Sequence, residues 1–420
     1  MAVVTCAGLV AASPPGSAAP ACGDGWVGSW MAAPSDSLSV LDPALVPQLS
    51  VSNQTYRVVV TPHRGGSTVR LHLTNRTRPL PMEIGRVTVA VASENGAVQA
   101  DSLRTVTFHG STSATIAPWS DIVSDPVDLT TTAFGRVSVS VYVPGLAALP
   151  TEHFNGNATS YLTLPFAGDH TGATTSDAFP LRTTAVPLVA GLDVDAVGVS
   201  SVVAFGDSIT DGYVSATILG TPQEPSVVDR DVRYPDFLQR RIDAAGAPFS
   251  VLNAGISGNR VTRDGFIPQF GPAANARLQA DVIDKAGVTD VIVLEGINDL
   301  GIPIGASADE IIAGFTTLID RLHRAGIAVH LGTILPASNA IADGMLTLPY
   351  SPPVRQRVNA WIREQRLSDT VVDFDAALRD PANPDILAAR YAGPDNLHPN
   401  AAGYARMAEA VALDRLVGCR

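Results

Sequence analysis

The sequence predicts two architectures in tandem: an antiparallel β-sandwich, followed by a three-layer α/β/α domain built on a parallel sheet. Three observations carry this. Between residues 56 and 143 apolar and polar side chains alternate with period two. From residue 201 onward, unbroken apolar runs alternate with helical stretches. At 420 residues the chain also exceeds what one hydrophobic core serves.

In the front half the alternation is clearest at Val137, Val139, Val141 and Val143, with Ser138, Ser140 and Tyr142 between them. Val69, Leu71 and Leu73 alternate likewise with Arg70, His72 and Thr74. Period two places one set of side chains on a buried face, and β-branched residues suit it. Arg64-Gly65-Gly66, Glu94-Asn95-Gly96 and Pro144-Gly145 break the runs. No helical period intervenes, so the strands pair antiparallel. Trp26, Trp30 and Trp119 are read as core or interface residues.

In the second half, strands are expected at 202–205, 250–253, 291–295, 329–333 and 371–374. Helices are expected at 234–245, 275–286, 308–325, 354–366 and 401–416. Strands apolar throughout need cover on both faces, which a parallel sheet with crossover helices provides. The expected boundaries are an export segment at 1–21, the sandwich at 22–190 and the α/β domain at 200–420.

The first twenty residues carry no charge and end in small residues, as a secretory signal does, although a basic leader is missing. The expected location is therefore extracellular; the alternative is an uncharged Ala/Pro/Gly tail. Cys6 would leave with that segment, so Cys22 and Cys419 either bridge the two ends of the mature chain or stay as free thiols. With 46% hydrophobic and 16% charged residues the chain is a globular protein. A net charge of −12 opposes association with nucleic acid. No other apolar run is long enough for stable membrane insertion. The sequence leaves the oligomeric state open.

Ligands in open parallel sheets bind outside the strands' carboxyl ends. Ser208 lies just past the first such strand. A serine hydroxyl becomes a nucleophile when a base takes its proton and an acid holds that base. His323, His330 and His398 are the histidines of this half; the first two fall inside a helix and a strand. His398 lies in a loop three residues after Asp395, a spacing that lets a short turn join carboxylate and imidazole. Two further loops, 253–259 after the second strand and 295–299 after the third, carry Gly and Asn. Exposed backbone N–H groups and a carboxamide are suitable donors to an oxyanion. No ligand cluster is evident, so no metal or cofactor is expected.

These four segments, in this order, resemble the SGNH hydrolases, the GDSL-type esterase and lipase family. The first block appears as Gly206-Asp207-Ser208-Ile209, with Ile where many members have Leu, and the second as Asn253-Ala254-Gly255-Ile256-Ser257-Gly258. The third is Gly296-Ile297-Asn298-Asp299 and the last Asp395-Asn396-Leu397-His398. The resemblance implies a flavodoxin-like α/β/α domain and a carboxylic ester hydrolase with Ser208 as nucleophile, His398 as base and Asp395 as its orienter. It also implies an oxyanion hole made by the N–H groups of Ser208 and Gly258 and the side chain of Asn298. No Gly-x-Ser-x-Gly occurs, which argues against the other common α/β esterase fold. The front half looks like the accessory domain of bacterial members similar to acetyl xylan esterases.

The expected function is thus a secreted serine esterase forming an acyl-enzyme from short-chain esters, such as O-acetyl groups on polysaccharides. Two alternatives stay open: a lipid or aryl-ester hydrolase or acyltransferase, and a glycan-binding protein with an inert hydrolase half. Loops 212–232, 259–274, 336–353 and 379–396, with Phe266, Phe270, Tyr350 and Tyr391, are expected to shape the cleft.

Overall fold

Valines at alternate positions set the first sheet of the front half. The computed structural model describes residues 25–36, 50–214, 226–301, 305–340 and 351–419. The expected export segment, Cys6, Cys22 and Tyr350 lie outside the described residues. Val137–Ala148 runs antiparallel between Ser50–Val60 and Arg86–Val91, with Val139 opposite both Val58 and Val89. Arg104–Val106, Ser160–Leu162 and Leu181–Thr183 complete six strands. A second sheet packs against it, ordered Trp26–Met31, Val189–Asp195, Gly66–Thr74, with Asp121–Val123 and Val127–Thr131 both on the last strand.

The polar residues of the alternation are also buried, which period two alone does not require. Ser138 and Ser140 are 1% and 2% exposed. Arg57 explains part of the cover: its guanidinium donates to Ser140 Oγ, Gly96 O and Ala173 O and lies 4.0 Å from the centre of the Phe179 ring. Chain from beyond the sheet thus closes over its second face. Trp30 is in the core, but Trp119, expected in a core or an interface, is 62% exposed. It sits in a turn at the surface, at a backbone φ of +57°.

The second half is a five-stranded parallel sheet, ordered Phe249–Gly255, Ser200–Gly206, Val288–Leu294, Ala328–Gly332, Thr370–Val372. Its longest helix shows why these segments are helical. In Ala308–Arg324, Ser307 accepts the Glu310 N–H and Glu310 answers on the Ser307 N–H, while Ile311, Phe315, Leu318 and Leu322 form one buried stripe. Tyr234–Ala244, Ala274–Leu278, Ser351–Glu364, Phe374–Leu378 and Ala401–Ala410 are the other long or flanking helices.

Several expected boundaries shift by a few residues, and the contacts account for three of them. Phe374 begins a helix instead of ending a strand, because the Asp373 carboxylate accepts the Ala376 N–H and caps it. The helix expected over 275–286 changes to a π turn at Gln279–Ile283. The last helix stops at Ala410, where the Arg241 guanidinium takes the carbonyls of Ala408 and Val411.

Residues 196–199 link the last front strand to Ser200. The halves meet through buried polar contacts as well as apolar ones. Gly28 N–H donates to Ser201 Oγ, and a Cβ at Gly28 would collide with Leu252. His63 lies between Val251 O and Asp236, and Arg76 pairs with Asp281. At the end of the chain, Val417 and Gly418 donate to the Asp290 carboxylate. Cys419 is disulfide-bonded, and not the free thiol of the second reading; Cys22, its partner in the first, lies outside the described residues.

Candidate active site

The carboxyl end of the Ser200–Gly206 strand turns straight into a helix. Asp207 is the cap: its backbone is extended and its carboxylate accepts the Ile209 N–H at 2.9 Å. Ser208 is therefore the first helical residue, at the end of a helix where N–H groups have no intrahelical acceptor.

The turn before the last helix is built to present an imidazole. One Asp395 oxygen accepts the N–H groups of Leu397 and His398, each at 2.9 Å, with Asn396 at a φ of +58° between. The other accepts His398 Nδ1–H at 2.6 Å. Because Nδ1 donates to the carboxylate, Nε2 is the acceptor, and Ser208 Oγ lies 2.8 Å from it. Ser208, Asp395 and His398 are all buried. Burial pushes the Asp395 carboxyl upward, but its bonds to His398 and to two backbone N–H groups hold it below the ordinary range. The Tyr213 ring packs on the imidazole with centroids 4.9 Å apart.

Gly258 and Asn298 come from the loops after the second and third strands. Gly258 has a φ of +81°, and a Cβ there would collide with the Phe270 ring, so only glycine fits. Asn298 Nδ2 donates to Asn259 O at 2.9 Å. An amide nitrogen has a second hydrogen, which remains for an oxyanion. Asn259 is itself held, donating to Phe270 O and Pro272 O and accepting from Arg277.

Beneath these loops Arg277 ties three strand ends together. It donates to Gly206 O and Ala254 O, each at 2.8 Å, and to Glu295 at 3.2 Å. Asp207 and Glu295 are buried close to one another. Desolvation, together with the neighbouring negative charges, raises both carboxyls well above the ordinary range.

Other candidates are placed elsewhere. His323 pairs with Asp369 at the surface, and His330 is buried between Asp290 and Thr370. Asp385, an acid of the same loop as Asp395, pairs with Arg355 at 2.7 Å. Sequence reasoning missed Asp211, Tyr213 and Arg277. Asp211 was the most findable, since it follows Ser208 by one helical turn. His153 was missed because it lies in the front half, 58 residues from the Asp211 carboxylate that it meets. Among the described residues no group of three His, Cys, Asp or Glu is placed to hold a metal.

Residues 204–406 match the model of the GDSL-like lipase/acylhydrolase family. No curated protein gives a match. Among solved structures, the carbohydrate acetylesterase Est24 from Sinorhizobium meliloti is similar at 17% identity, covering 50% of this chain and 95% of that one, with a TM-score of 0.41. The aryl esterase of M. smegmatis is similar at 19% identity, covering 50% and 95%, with a TM-score of 0.41. A lipolytic protein of the G-D-S-L family from Desulfitobacterium hafniense gives 20%, 50%, 97% and 0.35 in the same order.

Proposed function

We propose, from the premise that residues 204–406 belong to the GDSL-like lipase/acylhydrolase family, that this carboxylic ester hydrolase is a secreted serine esterase acting on short-chain acyl esters, O-acetyl groups on polysaccharides among them. The observation that carries the reading is the unbroken hydrogen-bonded line from Asp395 through His398 to Ser208, at 2.6 and 2.8 Å.

In that reading Ser208 Oγ attacks the acyl carbonyl while His398 Nε2 takes its proton, and Asp395 stabilises the imidazolium that forms. The carbonyl oxygen becomes an oxyanion held by the N–H groups of Ser208 and Gly258 and the Asn298 carboxamide. Collapse expels the alcohol, which receives the proton from His398, and leaves an acyl-enzyme on Ser208. Water then attacks the ester, His398 again takes the proton, and the acid departs as Ser208 is restored.

Secretion is supported by the uncharged first twenty residues and by the disulfide at Cys419, which suits an oxidising compartment. A net charge of −12 disfavours work at an anionic lipid surface, so small or glycan-borne esters are preferred over bilayer lipids. The test is a panel of p-nitrophenyl esters of rising chain length, acetylated xylan and a phospholipid. Rates highest on acetyl and falling with chain length are expected; a preference for long chains or phospholipid contradicts the substrate class.

A further inference from the structure

We infer that His153, contributed by the front half, is a positioning residue of the esterase site: held as an imidazolium, it fixes Asp211 and, through Asp211, the loop that carries Gly258. The inference rests on the reading of Gly258 as an oxyanion donor.

His153 stands on the short strand Glu152–His153 and is 6% exposed. Its Nδ1 faces Ala33 O at 2.9 Å. Its Nε2 faces Asp211 Oδ1 at 3.0 Å and Asn155 O at 3.1 Å. All three partners are acceptors only. A neutral imidazole has one unprotonated nitrogen, whose lone pair would point at an oxygen lone pair in either tautomer. Protonation of both nitrogens removes that conflict. Burial alone pushes the imidazole pKa down, but the Asp211 charge, its hydrogen bond and the two carbonyls outweigh it, and the net direction is up. Arg233, a cation within the field of Asp211, is committed to Asp236 through two side-chain bonds of 2.9 Å.

The far side of Asp211 meets the oxyanion loop. Asp211 Oδ2 accepts Ser257 Oγ–H at 2.6 Å and Ser257 N–H at 3.1 Å. Ser257 precedes Gly258, and a Cβ at Gly255 would collide with the Asp211 backbone, so helix and loop lie in direct contact. The front half adds a second hold: Asn157 Nδ2 donates to Gly212 O at 2.8 Å, next to the Tyr213 that packs on His398. Segment 152–157 thus grips both the residue behind Ser257 and the residue before Tyr213.

Stability alone is a weak reason for this pair, since apolar replacements of a buried ion pair are often as stable. What the pair supplies is direction: with Oδ1 committed to a fixed cation, Oδ2 must face Ser257. An oxyanion donor displaced by a fraction of an ångström loses much of its effect on the transition state and little on substrate binding.

The experiment compares wild type, His153→Gln, Asp211→Asn and the double variant on p-nitrophenyl acetate, with fluorophosphonate labelling taken to completion to count competent sites. The expected result is a fall of about tenfold to a hundredfold in kcat per labelled site with KM nearly unchanged, and a double variant little worse than the poorer single. In wild type, ¹⁵N spectra of the histidine rings should show both His153 nitrogens protonated at neutral pH, the resonances being assigned by their loss in His153→Gln. Wild-type kcat per labelled site with only a lower Tm, or a neutral ring in the spectra, overturns the inference. If Ser208→Ala keeps its turnover, the reading of the site falls, and this inference with it. If turnover requires Ser208 but is indifferent to His153, only the inference falls.

Discussion

His398 Nε2 stands 2.8 Å from Ser208 Oγ although 190 residues separate them in the chain. The first parallel strand delivers one, and the turn before the last helix delivers the other. Removing the base leaves the hydroxyl without a proton acceptor. His398→Ala is expected to lower kcat by about 10²-fold or more while the protein stays folded. Steady-state turnover and a Tm on the same preparation check it; a folded variant near wild-type turnover contradicts it.

Asp395→Asn should cost less than loss of Ser208, because the carboxylate orients and stabilises the imidazole and forms no bond to substrate. Asp385→Asn should leave kcat unchanged and lower Tm, since Asp385 faces Arg355 and Gln356 and not His398. Parallel kinetics on the two variants decide between them. A crippled Asp385→Asn beside a healthy Asp395→Asn would exchange their roles.

Asn298→Ala should lower kcat by about 10²–10³, or ~2.7–4 kcal/mol, with little change in KM, as for other side-chain donors to an oxyanion. The competing role is visible in the structure, because Asn298 also donates to Asn259 O and so steadies its own loop. Loss of that bond alone would lower Tm and spare kcat. Measuring both quantities on one sample separates the two roles.

Asp207 is buried with a carboxyl raised above its unfolded value by desolvation and by nearby negative charge. A raised carboxyl favours the folded state while protonated, and that contribution is lost as pH rises through the folded pKa. Asp207→Asn keeps an oxygen for the Ile209 N–H and cannot ionise. Its Tm relative to wild type should therefore be higher at pH 8 than at pH 5. Equal differences at the two pH values would contradict the raised carboxyl.

The parts of the fold and site that were legible in the sequence are those set by local pattern. Strand and helix alternation in the second half was visible because each strand carries a short run of apolar, mostly β-branched residues. Asp395 and His398 were visible because one turn joins them. The valines of 137–143 marked a strand, but the burial of Ser138 and Ser140 depends on Arg57 and on chain remote in sequence, so no window contains it. Trp119 misled, since its residue type favours burial and it lies in an exposed turn. His153 and Arg277 were silent for the same reason as the buried serines: their meaning lies in partners remote in sequence.

The most direct measurement is the turnover of p-nitrophenyl acetate by folded Ser208→Ala beside wild type, each matched for Tm and treated with a fluorophosphonate. Wild type should turn over and become labelled at one residue, and Ser208→Ala should do neither. A folded Ser208→Ala enzyme that hydrolyses the ester at the wild-type rate would contradict the assignment of Ser208 as the nucleophile.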